Sequence, residues 1–233
     1  MKKSILFLMG FMVLFLVATI SFAMVDVKVF DNTFVRGTGT PVTETKTFPG
    51  VSGKAIIKVY NGGLEDADTE RVSSSVIKIN GQIIFDQSNF NQNITSLEKE
   101  IIINDGQNTL EATLKSKPGG KLTVQIMQDI GSGAINKPSL AVMLMSYVLK
   151  NGNVSDASNF VIEQWRDQFI LDAAELDSEG VRELGDIIEN AVPVFSGKGY
   201  SEYESVVTFS DGVNYVGKLT LIKTDQGWRF KRL

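Results

Sequence analysis

Residues 54–126 constrain this chain more than any other stretch, because they repeat one short pattern: a few alternating apolar residues, then a turn pair. Residues 54–60 place Ala55, Ile57 and Val59 on one face and Ile56 and Tyr60 on the other. They stop at Asn61-Gly62-Gly63, where glycine and asparagine take positive φ at little steric cost. Residues 72–79 run into Asn80-Gly81, the strongest short-range hairpin signal in the chain, and 82–85 return from it. Residues 97–103 and 108–115 flank Asn104-Asp105-Gly106-Gln107, and Lys117-Pro118-Gly119-Gly120 turns into a last strand at 122–127. Two more strands precede these, Val25, Val27 and Val29 alternating in the first and Thr43, Thr45 and Thr47 in the second. Eight or so short strands at this spacing predict a two-layer all-β sandwich, each strand with one packed and one wet face.

The first 23 residues read as a separate object. Lys2 and Lys3 form a positive start, residues 5–20 are an almost unbroken apolar run, and Ser21-Phe22-Ala23 supplies the small residues that a signal peptidase reads. That is the pattern of a secretory signal peptide. The competing reading is an uncleaved membrane anchor; after cleavage no stable membrane insertion is expected. A lipoprotein is excluded, since the chain has no cysteine to acylate. Without Lys2 and Lys3 the net charge moves from −4 to about −6. An acidic chain with no basic stripe is a poor match for a phosphate backbone, so no nucleic-acid partner is expected. Localisation is read as periplasmic, or extracellular at the cell surface. The composition changes near residue 130, which divides the chain into 24–130, a linker at 131–137 containing Gly131, Ser132 and Gly133, and 138–233.

Within the first unit, Arg71-Val72-Ser73-Ser74, Ile79-Asn80-Gly81, Asn89-Phe90-Asn91-Gln92, Gly106-Gln107-Asn108-Thr109-Leu110 and Lys117-Pro118-Gly119-Gly120 follow one another in an arrangement that resembles the Ig-like or carbohydrate-module-like β-sandwich of exported bacterial proteins. The resemblance covers residues 28–126 and implies an envelope or extracellular scaffold with no catalytic residues to transfer. Fold does not fix function, so glycan binding stands only as an analogy. Two loops carry a sharper possibility beside a bland one. Glu65, Asp66, Asp68 and Glu70 are candidate oxygen ligands for Ca²⁺, although their spacing matches no EF-hand and acidic tips are usually just solvated. Asn89, Asn91, Gln92 and Asn93 surround Phe90 and suit sugar hydroxyls, with Phe90 either the aromatic platform or a core plug.

After the linker the apolar period changes from two to about 3.6. Leu140, Met143, Leu144, Tyr147 and Val148 mark one stripe of a helix starting near Pro138 and ending at Gly152. Ser155 or Asp156 is read as the cap of a second helix with Phe160 or Val161, Trp165 and Phe169 inward. Asp177 or Ser178 is the cap of a third, striped by Val181, Leu184, Ile187, Ile188 and Ala191. Strands follow at 200–209, 215–223 and 228–233, with Asp211-Gly212 and Asp225-Gln226-Gly227 as turns and a further strand read at 191–195. Helices first and an antiparallel meander second predict an α+β domain of three helices packed on a curved sheet. That order, closing with Leu219-Thr220-Leu221-Ile222-Lys223 and Gln226-Gly227-Trp228-Arg229-Phe230, resembles the nuclear-transport-factor-2-like (SnoaL-like) cone domains. The resemblance covers about residues 137–233 and implies either an isomerase- or dehydratase-like cavity or a non-catalytic binding domain.

The chemistry is sparse. The chain has no histidine, which removes the commonest general base near neutral pH and the commonest zinc ligand. Glu163, Asp167 and Asp172 lie on a helix, where solvated carboxylates are the rule. Ser73, Ser74 and Ser75 have no base to activate them, and the glycine pairs lack a phosphate-loop lysine. No catalytic residue, metal ligand or cofactor site is assigned. Tyr147, Trp165, Tyr203, Tyr215 and Trp228 are the candidate lining of an apolar pocket, with core packing the better reading for the two tryptophans. The leading expectation is an exported non-catalytic protein with a protein or small-ligand partner. The alternatives are a small-ligand-binding or enzymatic cone, and a glycan-binding sandwich.

Overall fold

A computed structural model describes residues 26–65, 67–130, 135–208 and 213–233. The signal-peptide segment, Asp66, the glycines of the linker and the Asp211-Gly212 turn lie outside the described residues. Eight strands come first: β1 (Asp26–Val35), β2 (Thr43–Gly50), β3 (Gly53–Asn61), β4 (Ser75–Ile79), β5 (Gln82–Phe85), β6 (Ser96–Ile103), β7 (Gly106–Leu114) and β8 (Lys121–Asp129). They pair antiparallel into two sheets, ordered β1-β8-β3-β6 and β2-β7-β4-β5. The alternation in the sequence decides the facing. Ala55, Ile57 and Val59 of β3 are buried, as are Ile77 and Ile79 of β4, and Leu110, Ala112 and Leu114 of β7. Phe30 of β1 and Phe48 of β2 meet across the two layers with ring centroids 5.4 Å apart.

Buried asparagines tie the loops to this core. The Asn61 side chain donates to the Val72, Asn91 and Ile94 carbonyls and accepts from the Val72 amide at 2.6 Å. Asn108 bonds both Asn104 and the Asn80 side chain. Asn80 itself has φ 50° and Gly81 φ 80°, the double positive φ of the two-residue hairpin that this pair predicts.

The remainder comprises α1 (Pro138–Lys150), α2 (Val154–Ser158), α3 (Glu163–Ala174), α4 (Ser178–Glu189), β9 (Val192–Ser196), β10 (Tyr200–Thr208), β11 (Asn214–Thr224) and β12 (Gly227–Arg232). The last four strands form a third antiparallel sheet, ordered β12-β11-β10-β9. This overturns the expected α+β cone of three helices packed on a curved sheet. The described residues are dominated by strands in three sheets, with four short helices. Nor do the helices line the third sheet as a group. α1 packs on α4 and also against β1 and β2 of the sandwich and β12 of the third sheet.

The reason lies in α1 itself. Leu140, Ala141, Val142, Leu144, Met145, Ser146, Val148 and Leu149 are all buried, while Met143 and Tyr147 of the expected stripe are only partly so. A helix that is apolar all round needs neighbours on every side, and a single stripe assigns it only one. The second expected helix also divides. Phe160, Val161 and Ile162 leave the helical path, and Val161 forms a parallel bridge to Phe230. The Ile162 amide donates to the Phe230 carbonyl at 2.9 Å, and the Phe230 amide to the Phe160 carbonyl at 2.7 Å. The segment thereby covers the outer edge of β12, satisfying backbone groups that an open edge leaves unpaired.

Candidate binding surfaces

The bridge at Phe230 fixes the floor of a cleft of about 480 Å³ between α3 and β12. Val161, Phe169 and Phe230 are buried in it. Trp165, Gln168, Phe169 and Asp172 reach it from α3 at the i, i+3, i+4, i+7 spacing that puts them on one side of a helix. Trp165 is 49% exposed, and Leu233 and Lys231 complete the wall. The Gln168 side-chain amide donates to the Asp172 carboxylate at 2.6 Å. Beside α3 and β12 the Arg166 and Arg229 guanidiniums each keep a buried Nε without a hydrogen-bond partner. Burial and the neighbouring Arg166 charge push Arg229 down to about 10, partly offset by Asp225.

A second cleft, about 440 Å³, opens where β2 and β7 of the sandwich meet α1 and α4. Its charges are already satisfied within the chain. Lys150 pairs with Asp186 at 2.8 Å and Glu189 at 2.6 Å, and Arg182 pairs with Glu179. Tyr147 lines this cleft and also a smaller one, of about 190 Å³, beside Lys28 and Asp31. Burial pushes the Tyr147 phenol up to about 12, against the Asp31 backbone and the Asn151 side chain, whose hydrogen bonds favour the phenolate.

The five residues read as a pocket lining are dispersed. Trp165 lines the α3–β12 cleft and Tyr147 the two others. Tyr203 and Trp228 are buried, the Trp228 indole donating to the Asn136 carbonyl at 3.2 Å. Tyr215 is exposed on β11. None of these three clefts is lined by more than one of them. Residue type alone marks aromatics as candidates; which ones border space depends on the break between α2 and α3, which the apolar pattern conceals.

Several residues of the sandwich loops bond within the chain, while Asp66 lies outside the described residues. Phe90 is buried and meets Phe85 edge-on at 6.5 Å. Asn89 accepts from the Asp86 amide and Asn91 from the Asn93 amide, so both close their own turns. Asp68 pairs with Arg71 at 2.5 Å and Glu70 with Lys121 at 2.8 Å. Among the described residues no group of three or more carboxylates gathers to hold a metal ion.

Sequence reasoning did not single out the third sheet's uncovered apolar surface. All five residues of β9 are exposed, including Val192, Val194 and Phe195. Val206 of β10 pairs directly with Val216 of β11, and the two are 65% and 57% exposed. Between these lie Glu202, which accepts from the Tyr200 hydroxyl, and Glu204, paired with Lys218 at 3.3 Å. Tyr215, paired with Val207, is exposed on the opposite face of the sheet. On the sandwich the exposed large apolar residues are Val35, Val42, Leu64, Ile83 and Ile102, each on a separate segment, and none of these is aromatic. No helix among the described residues is long and apolar enough to cross a membrane.

The chain matches no protein-family model and no curated protein. Solved structures similar to it include a family 35 carbohydrate-binding module from Clostridium thermocellum, 15% identical over 45% of this chain and 92% of that one, with a TM-score of 0.27. A CBM35 from Paenibacillus barcinonensis is 14% identical over 44% of this chain and 91% of the other, with a TM-score of 0.26. The tandem CBM51 modules of a family 98 glycoside hydrolase from Streptococcus pneumoniae SP3-BS71 are 10% identical over 85% of this chain and 55% of the other, with a TM-score of 0.29. These are carbohydrate-binding modules; likeness at these values does not carry over a ligand or a site.

Proposed function

We propose that this is an exported, non-catalytic binding protein that engages a protein partner through the third sheet. The observation that carries the reading is the exposed apolar residues on one face of β9, β10 and β11: the paired Val206 and Val216, with Val192 beside Glu204 and Phe195 beside Glu202. A connected apolar patch loses free energy to water until something covers it, whereas scattered exposed residues need no explanation. With Glu204 already paired to Lys218 within the surface, the partner called for has an apolar face and a hydrogen-bond donor for Glu202. The 23-residue signal-like start supports export, and the absence of histidine and cysteine supports a non-catalytic role. The sandwich serves in this reading as the scaffold that presents the sheet.

Cross-linking of the native protein in envelope fractions, followed by mapping of the linked peptides, tests the contact. We expect cross-links from residues 192–218 to one saturable protein partner. The Val206→Glu/Val216→Glu double variant, with its fold checked by circular dichroism because the two new charges face each other across the strands, is expected to weaken that partner's binding at least about tenfold. Undiminished binding by a folded double variant overturns the reading. An N-terminus at Met24 in the protein recovered from the envelope supports export, and retention of residues 1–23 in a cytoplasmic form refutes it.

A further inference from the structure

We propose that the α3–β12 cleft is a saccharide site, in which a neutral sugar ring lies against Trp165 and its hydroxyls meet Gln168, Asp172 and Lys231. The cleft is amphipathic in a specific way. Its floor of Val161, Phe169 and Phe230 is buried and apolar, and its half-exposed wall is an indole. Its polar groups are one carboxylate, one amide and one ammonium. Carboxylates only accept hydrogen bonds and ammonium groups only donate, so the ligand must offer both functions at adjacent positions. A sugar hydroxyl does both, and the C–H face of a pyranose suits an aromatic ring.

Charge and cost narrow the class further. Among the side chains that line the cleft, Asp172 and Lys231 carry opposite charges, so the lining itself favours neither sign. A purely aliphatic ligand would take water from the Asp172 and Gln168 groups without replacing their hydrogen bonds. The bond of 2.6 Å from Gln168 to Asp172 leaves the amide oxygen and the second carboxylate oxygen for ligand and restrains both planar groups beforehand. The volume of about 480 Å³ falls in the small-molecule range. This site lies outside residues 28–126, where the carbohydrate-module resemblance lies, and is separate from the apolar patch on β9–β11.

The test uses the whole chain and a panel of neutral polysaccharides and their oligosaccharides: a β-glucan, a xylan, a galactomannan and an α-glucan. Intrinsic fluorescence reports directly, because the chain has two tryptophans and Trp228 is buried. We expect at least one saccharide to shift the emission to shorter wavelength and to bind in calorimetry. Trp165→Ala should weaken it at least about tenfold, and Gln168→Ala/Asp172→Ala similarly, with unchanged circular dichroism. Trp165→Phe should retain part of the affinity. The Val206→Glu/Val216→Glu variant should bind the saccharide normally, and Trp165→Ala should keep the protein contact, so failure of one proposal is distinguishable from failure of the other. No binding by any member of the panel at millimolar concentration, or binding untouched by both cleft variants, overturns the proposal.

Discussion

Asn61 shows how much one side chain can organise. It ends β3, yet its amide reaches the carbonyls of residues 72, 91 and 94, so two separate loops depend on it. Asn61→Ala removes the partner of a buried amide and of several carbonyls at once. We expect a loss of about 2–3 kcal/mol in urea unfolding, with loops 62–72 and 91–95 gaining hydrogen-exchange rate first. Tyr147 gives a pH signature. Its phenol ionises near 10 in the unfolded chain and is pushed up to about 12 by burial in the fold. The folded state therefore holds the proton longer, so this contribution is fully present below pH 10 and is lost as pH rises from 10 to 12. Thermal melts of Tyr147→Phe should fall less steeply across that alkaline window than those of the parent; an identical slope refutes the assignment. Legibility at this scale was uneven. The Asn80-Gly81 turn was readable because its requirement for positive φ is local. The role of Asn61 was not, since asparagine before two glycines signals a turn equally well whether its side chain points to water or ties two loops together.

At the scale of elements, the α1–α4 packing turns on a single missing side chain. A Cβ at Gly185 would lie 2.9 Å from both the Lys150 nitrogen and the Ser146 carbonyl oxygen, backbone atoms of α1 that cannot step aside. Alanine gains up to about 1 kcal/mol in helix propensity, but forced separation of two packed helices costs about 1–3 kcal/mol. We expect Gly185→Ala to lower the unfolding free energy by about 1–2 kcal/mol, read by denaturant titration; a more stable variant would show that the helices can move apart freely. Two helix ends were legible from capping chemistry, whereas α2 is capped by Asn153, which accepts from the Asp156 amide, and not by Ser155 or Asp156 as expected. Asp177 accepts from the Gly180 amide at 2.8 Å, and Gly152 takes φ 72° after α1. The division of α2 from α3 was not legible. Phe160, Val161, Trp165 and Phe169 fit one helical stripe, and only the need of a distant strand edge for backbone partners draws residues 160–162 out of it.

For the molecule as a whole, the sandwich followed from alternation because β3, β4 and β7 each bury every second residue, a contrast written residue by residue, whereas β2 is exposed on both faces from 43 to 47. The packing of the second half did not follow, since apolar spacing reports how much of an element is buried and not against what. α1 serves the sandwich and the third sheet at once, whereas the cone assigned its apolar surface to one sheet alone. The aromatic site candidates failed to converge for the same reason. Where a ring meets space is set by which elements leave surface uncovered, and that is a sum over the whole fold. The two surfaces on which binding is proposed are such remainders, one beside α3 and one across β9–β11.

The pairing of β1 with β8 has a consequence in time. Asp26 sits opposite Asp129, so the first strand of the sandwich has no partner until residues more than a hundred positions later have been made. Contacts between distant parts of a chain form slowly, in milliseconds to seconds for sandwich topologies, because the intervening loop must be closed before any bond rewards it. During that interval β1 stays an extended, unpaired thread. A polypeptide that crosses a membrane through a narrow pore has to stay unfolded until it is through, and this topology delays folding without help from any other component.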